Sequence, residues 1–306
     1  MSLEKGRVIM SKTVLFTGSA VAIITPFKND VIDFDKLEEL IEFQISNGSD
    51  AIVICGTTGE VSTLPDQEHV AAVKFTVEKV GHRVPVIAGA GSNHTQHGIE
   101  LSQAVEAAGA DGILSVTPYY NKTTQKGLYQ HYKLIAGSVK IPIILYNVPG
   151  RTSLNINPET IRDLSLIDNI VAIKECNFNQ VGDIVNLCGE DFTIYSGDDA
   201  VVVPMMSLGA QGVISTTANL IPRDFHEMTA SYLAGDIEKA RKIQLRALDL
   251  IKALFIEVSP IPIKAALNLI GMDVGICRLP LIEMSQENLE VLKQAMLAYG
   301  FSLSQA

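Results

Sequence analysis

The sequence predicts an α/β protein, a TIM (β/α)8 barrel with a C-terminal helical appendage. Three observations predict it. Short β-branched runs recur eight times, roughly 20 to 35 residues apart, the size of one βα unit. Helical patterns fill the intervals. After Thr217 the strand signal stops and only helix follows.

The runs are residues 20–24, 51–55, 84–88, 112–116, 142–146, 170–174, 192–196 and 212–215. Each is apolar throughout or nearly so, as in a parallel sheet covered on both faces. Segments 35–47, 66–80 and 95–108 carry helical patterns, and Asn47-Gly48 and Ala108-Gly109 read as helix stops. Eight units in a row suit a closed barrel with helices outside. Residues 223–233, 236–255, 261–270 and 286–299 all read as helix. The chain thus divides into a barrel over 1–222 and a helical domain over 223–306, the latter placed to pack on the barrel or on another subunit. A doubly wound sheet is the rival fold. Its dinucleotide-binding form needs a Gly-rich loop after an early strand, and Gly89-Ala90-Gly91 lacks the third glycine.

Composition narrows the function. The 306 residues carry a formal charge of -10 and no basic run, which argues against a nucleic-acid partner. An anionic substrate would need local positive charge from single residues. Cys55, Cys176, Cys188 and Cys277 are scattered without metal-ligand spacing and read as reduced thiols, the first two as small buried fillers. The amino-terminal segment has charges of both signs and no long apolar core, so it does not read as a signal peptide. No apolar run reaches membrane-spanning length. The expectation is a soluble, cytoplasmic protein.

Barrel enzymes carry their chemistry at the carboxyl-terminal strand ends. The ends here read Thr25-Pro26-Phe27, Gly56-Thr57-Thr58-Gly59-Glu60, Ser92-Asn93, Tyr119-Tyr120-Asn121, Tyr146-Asn147 through Arg151, Lys174-Glu175 and Asp198-Asp199. No histidine pair has metal spacing, and no serine, histidine and aspartate suggest a hydrolase. His69 and His131 fall within predicted helices and read as ordinary helix residues.

Lys174 is the sharpest signal, because four apolar residues precede it. An ammonium costs several kcal/mol to desolvate, so delivering one to the core edge needs a reason. One reason is chemical: desolvation lowers the lysine pKa, and the neutral amine can attack a ketone. The bland alternative is an ion pair with a carboxylate such as Glu175. Tyr146, ending the adjacent strand, could relay protons or be a core tyrosine with its hydroxyl at the rim. The turn at 56–59 could hold a small carboxylate with backbone N–H groups and two hydroxyls, or cap the next helix. Arg151 follows a Pro-Gly turn and could clamp a carboxylate or form a surface ion pair. Lys264, after two prolines at a helix start, reads as a snorkelling helix residue.

In combination, GTTGE (56–60), PYYNK (118–122), YNVPGRT (146–152), IKE (173–175), GVIS (212–215), PIPIK (260–264) and RLPL (278–281) resemble the dihydrodipicolinate synthase / N-acetylneuraminate lyase family of Schiff-base aldolases. The resemblance runs from about Thr17 to Ala298. GTTGE and the arginine of YNVPGRT favour the synthase branch. The resemblance implies a Schiff base between Lys174 and pyruvate, with no metal or organic cofactor. It implies a proton relay of Tyr146, Thr58 and Tyr120, the last supplied across a dimer interface. Thr57 and Thr58 would contact the pyruvate carboxylate, Arg151 the carboxylate of L-aspartate 4-semialdehyde. The Ile214 carbonyl would lie near the lysine. The implied assembly is a homotetramer, a dimer of dimers. Two rivals remain: a sister aldolase acting on a sugar acid such as N-acetylneuraminate, and a silent member that only binds.

Some members of that family are inhibited by L-lysine at an interface cleft. The matching positions here include His69, Asn93, His97 and Tyr119. Asp66 stands where lysine-sensitive members carry histidine, and His97 where they carry glutamate. The expectation is weak or absent lysine feedback.

Overall fold

The computed structural model describes residues 12–304. The segment that lacks a signal-peptide pattern lies, up to residue 11, outside the described residues. The strands are β1 (Gly18–Ala22), β2 (Phe27–Lys28), β3 (Val31–Ile32), β4 (Ala51–Ile54), β5 (Val86–Gly89), β6 (Gly112–Val116), β7 (Ile143–Asn147), β8 (Ile170–Glu175), β9 (Thr193–Ser196) and β10 (Gly212–Ser215). β1 and β4 to β10 form a closed barrel in chain order, all parallel, with β10 paired back onto β1. Each predicted run supplies one barrel strand. β2 and β3 are a small antiparallel hairpin that periodicity misses. Its two turn residues, Asn29 and Asp30, have φ of 52° and 60°, the left-handed pair such a turn requires.

Helices Phe34–Ser46, Asp66–Val80 and Thr95–Ala107 follow the predicted patterns. Asp33 caps the first by accepting from the Lys36 N–H at 3.0 Å. Gly48 and Gly109, with φ of 90° and 93°, supply the left-handed exits.

Two apolar layers result. A large one joins the outward strand faces to the helices. A smaller one fills the lumen with Ala22, Val53, Ile87, Leu114, Ile144 and Ala172, among others. Side chains alternate across a strand, so Tyr146 follows Ile144 inward and Lys174 follows Ala172 inward. The β7–β8 register puts Tyr146 beside Lys174. At the opposite end Phe16 stacks on Tyr195 with ring centroids 4.2 Å apart, and the Tyr195 hydroxyl donates to the Phe16 carbonyl at 2.7 Å.

Helix Pro222–Leu233 packs on β1 and on helix Ile237–Leu254, so it serves barrel and appendage together. Helix Ile261–Leu269 brings a correction. Lys264 does not snorkel: its side chain is 2% exposed, and Nζ lies 2.6 Å from Oε1 of the buried Glu60. Nζ also donates to the Ile276 carbonyl at 3.0 Å. The helix faces the end of β4, where a carboxylate satisfies the ammonium without solvent.

Candidate active site

Lys174 and Tyr146 meet at the carboxyl-terminal mouth of the barrel. Both are buried, and Lys174 Nζ lies 4.6 Å from the centre of the Tyr146 ring. Lys174 forms no salt bridge among the described residues. Burial drives its pKa below the ordinary lysine value, and the Arg151 charge adds to that. Glu175 does not rescue it, because the next residue of a strand faces the other way. Its carboxylate accepts from Asn147 Nδ2 at 2.9 Å, the Asn177 N–H at 2.6 Å and Gln180 Nε2 at 2.8 Å. Burial still pushes that carboxyl up to about 7. The bland ion-pair alternative for Lys174 therefore fails on geometry.

Burial pushes the Tyr146 phenol well above its ordinary range, so it stays protonated at neutral pH. The Thr57 side chain reaches that phenol and opposes part of the shift. Thr58 points elsewhere, its hydroxyl 3.0 Å from that of Thr216. Of the two threonines, Thr57 is thus the one set beside the phenol, while Thr58, the threonine expected in the relay, is paired with Thr216. The turn itself is tight. Glu60 N–H donates to the Thr57 carbonyl at 3.1 Å, and Thr25 Oγ1 donates to the Gly59 carbonyl at 2.7 Å.

Three neighbours were given no role in the sequence reading, although Asp199 stands among its strand ends. Gly197 follows β9 and lies against the lysine: a Cβ there would sit 3.1 Å from Lys174 Cε and 2.4 Å from Cys176 Sγ. Asp199 is buried, its Oδ2 accepting from the Thr217 N–H at 2.8 Å. Burial raises its pKa while the Lys174 charge opposes the rise, so acid and amine sense each other. Thr216 is the third. The Ser-Gly-Asp-Asp string after β9 was the one available signal. Cys176 lies beside the phenol and the amine, its thiol pushed up to about 12 by burial. Cys55 is wholly buried.

Arg151 lies on the short helix Pro149–Thr152, where Nη2 donates to the Ser259 carbonyl at 3.0 Å. It has no carboxylate partner among the described residues, so the surface ion pair is absent. Ile214 is buried on β10 and faces the lumen. Tyr120 is 93% exposed, with φ of 67°.

The positions of the expected cleft also gather. His97 Nε2 lies 3.0 Å from Asp66 Oδ1, and its Nδ1 3.1 Å from Ser92 Oγ. Asn93 Nδ2 donates to the Tyr119 carbonyl at 3.1 Å. His69 is buried in helix Asp66–Val80, and desolvation lowers its pKa. His131 is buried in helix Gln125–Ala136, its Nδ1 2.9 Å from Thr95 Oγ1.

The Gly89-Ala90-Gly91 string serves packing. A Cβ on Gly89 would lie 2.1 Å from the Cys55 carbonyl oxygen, and one on Gly91 2.4 Å from the Val116 nitrogen. Among the described residues no group of three or more His, Cys, Asp or Glu side chains could hold a metal ion. No described helix is long and apolar enough to cross a membrane.

A closed parallel barrel with a desolvated lysine and phenol at its mouth defines a (β/α)8-barrel lyase. The chain belongs to the dihydrodipicolinate synthetase family, whose sequence profile matches residues 15–298. It is 65% identical over 286 residues to the 4-hydroxy-tetrahydrodipicolinate synthase of Acetivibrio thermocellus, covering 94% of this chain and 98% of that one. The crystal structure of dihydrodipicolinate synthase from Aquifex aeolicus superposes with a TM-score of 0.93 at 46% identity, covering 95% of this chain and 100% of that one. A structure described as the first monomeric dihydrodipicolinate synthase variant superposes with a TM-score of 0.91 at 41% identity, covering 94% and 97%.

Proposed function

We propose that the protein condenses pyruvate with L-aspartate 4-semialdehyde to 4-hydroxy-tetrahydrodipicolinate. The observation that carries this reading is the buried, unpaired Lys174 amine beside the Tyr146 phenol, in a chain 65% identical to a protein of that name. The neutral amine attacks the keto carbon of pyruvate. Tyr146 hands a proton to the departing hydroxyl, water leaves, and an imine forms. Loss of a methyl proton gives an enamine, whose carbon attacks the aldehyde. The product amine then displaces Lys174 by transimination and closes the ring. The protonated imine is itself the electron sink, so the step needs no metal or organic cofactor. Thr57 joins Tyr146 in moving protons, and both threonines of the turn meet the pyruvate carboxylate. Arg151 selects the aldehyde through its carboxylate, a choice that a sugar acid, which needs hydroxyl-binding groups, would not favour.

Tyr120 completes the relay in a second copy of the chain. Its 93% exposure and left-handed backbone fit a side chain held out towards a partner. The assembly in this reading is a dimer or a dimer of dimers, working in the cytoplasm.

The experiment is a coupled assay of pyruvate plus aspartate semialdehyde, with a dihydrodipicolinate reductase reporting NADPH loss. Turnover that needs both substrates is expected. Well-folded protein without turnover would move the reading to the sister aldolases.

Feedback by L-lysine is weak or absent in this reading. Asp66 and His97 occupy each other, so the cleft offers no free carboxylate at position 97 to an ammonium group. Inhibition by added L-lysine is the measurement, and a constant in the sub-millimolar range would refute the expectation.

A further inference from the structure

We infer that the buried Glu60–Lys264 pair is a positioning latch, through which the helical appendage sets where Thr57 and Thr58 meet pyruvate; the inference rests on the reading of Lys174 given above. Glu60 ends the turn that carries both threonines, and its side chain is 1% exposed. Both of its carboxylate oxygens are taken by the appendage. Oε1 lies 2.6 Å from Lys264 Nζ, and Oε2 accepts the Arg278 N–H at 2.8 Å. The same two residues set their cations against the Phe27 ring, each 4.3 Å from its centre.

The backbone says why a glutamate stands there. Glu60 has φ of 56°, a left-handed conformation that glycine or asparagine adopts more easily. The turn accepts that strain to place this side chain. Any shift of Glu60 is passed on, because its N–H donates to the Thr57 carbonyl at 3.1 Å and Val61 N–H to the Gly56 carbonyl at 3.4 Å. Stability alone is a poor reason for the pair. Two charges taken out of water repay their desolvation only in good geometry, and apolar replacements are often neutral or better. What an apolar pair would not give is a fixed direction and length. The same stretch of chain also touches the other clamp, since the Ser259 carbonyl accepts from Arg151. Glu60 and Lys264 are therefore positioning residues, acting through the threonine turn.

The test is borohydride trapping of pyruvate on the enzyme as a function of pyruvate concentration, read by intact mass, with folding checked by circular dichroism. The variant Glu60→Gln/Lys264→Met removes both charges and leaves no lone buried ion. Its half-saturating pyruvate is expected to rise about tenfold or more, while the adduct at saturation is kept. A folded double variant with unchanged half-saturation overturns the latch and makes the pair structural only. If the double variant does not fold, Glu60→Asp carries the test. It keeps the charge but draws it back by one methylene, and the same rise is expected; an unchanged value overturns the proposal. Wild-type enzyme that traps no pyruvate at all overturns the Schiff-base reading beneath it instead.

Discussion

Replacing Lys174 by methionine abolishes turnover and, in the same variant, makes the protein more stable. The loss of turnover is the larger effect, about 10⁴-fold or more, because no other described amine stands in the mouth to replace the covalent step. The gain in stability follows from the environment that makes the amine reactive. Burial pulls the folded-state pKa below the ordinary value of 10.5. In the window between the lowered pKa and 10.5 the unfolded chain binds more protons than the folded one. The penalty of the lysine is thus complete below its folded pKa and fades as pH rises towards 10.5. Methionine fills the same volume without the charge. At neutral pH the variant is expected to unfold about 2–5 °C higher, with the gap narrowing as pH rises through the lowered pKa towards 10.5. Calorimetry of both proteins across that range checks it. A variant less stable than wild type would mean that the amine is solvated or paired after all.

Replacing Tyr146 by phenylalanine lowers kcat by about 10²- to 10⁴-fold, the usual worth of a positioned proton donor. The ring stays, so the packing beside Lys174 is kept and pyruvate still binds. Borohydride trapping is expected to become slow yet reach completion. The two threonines give a sharper comparison. Thr57→Val removes the side chain that reaches the phenol and should lower kcat by about tenfold or more. Thr58→Val removes a partner of Thr216 and should act mainly on pyruvate binding. Steady-state kinetics of the three variants decides the matter. A larger kcat loss in Thr58→Val than in Thr57→Val would return the relay to Thr58.

The threonine pair shows where sequence reading stops. A strand alternates, so Tyr146 and Lys174 share the parity of Ile144 and Ala172, but runs apolar on both faces do not say which parity is inward; the barrel does. That parity also sends Glu175 away from Lys174. A tight turn has no period, so nothing in Gly-Thr-Thr-Gly says which hydroxyl faces the phenol. The eight strands were legible because both faces are buried and the runs are apolar throughout. The Phe27–Ile32 hairpin was not, because two-residue strands are too short to show alternation; its Asn-Asp turn was the one clue. Lys264 was misread for another reason. Its partner Glu60 lies at the other end of the chain, and no local pattern reveals a contact closed by the fold. Gly197 and Asp199 were visible only as residues after a strand. Their closeness to Lys174 comes from the β8–β9 register.

The stacked Phe16 and Tyr195 rings, with the packed lumen above them, turn the barrel into a cup. Among the described residues its floor is built of packed side chains. In the proposed reaction both reactants and the cyclised product would pass through the mouth, and traffic there would be one-way at any instant. In that reading the first reactant escapes the conflict by becoming bonded to the wall of the cup, which clears the threshold for the second. Seen so, covalent capture does more than activate a carbon: it is how a vessel with one opening holds two guests in order.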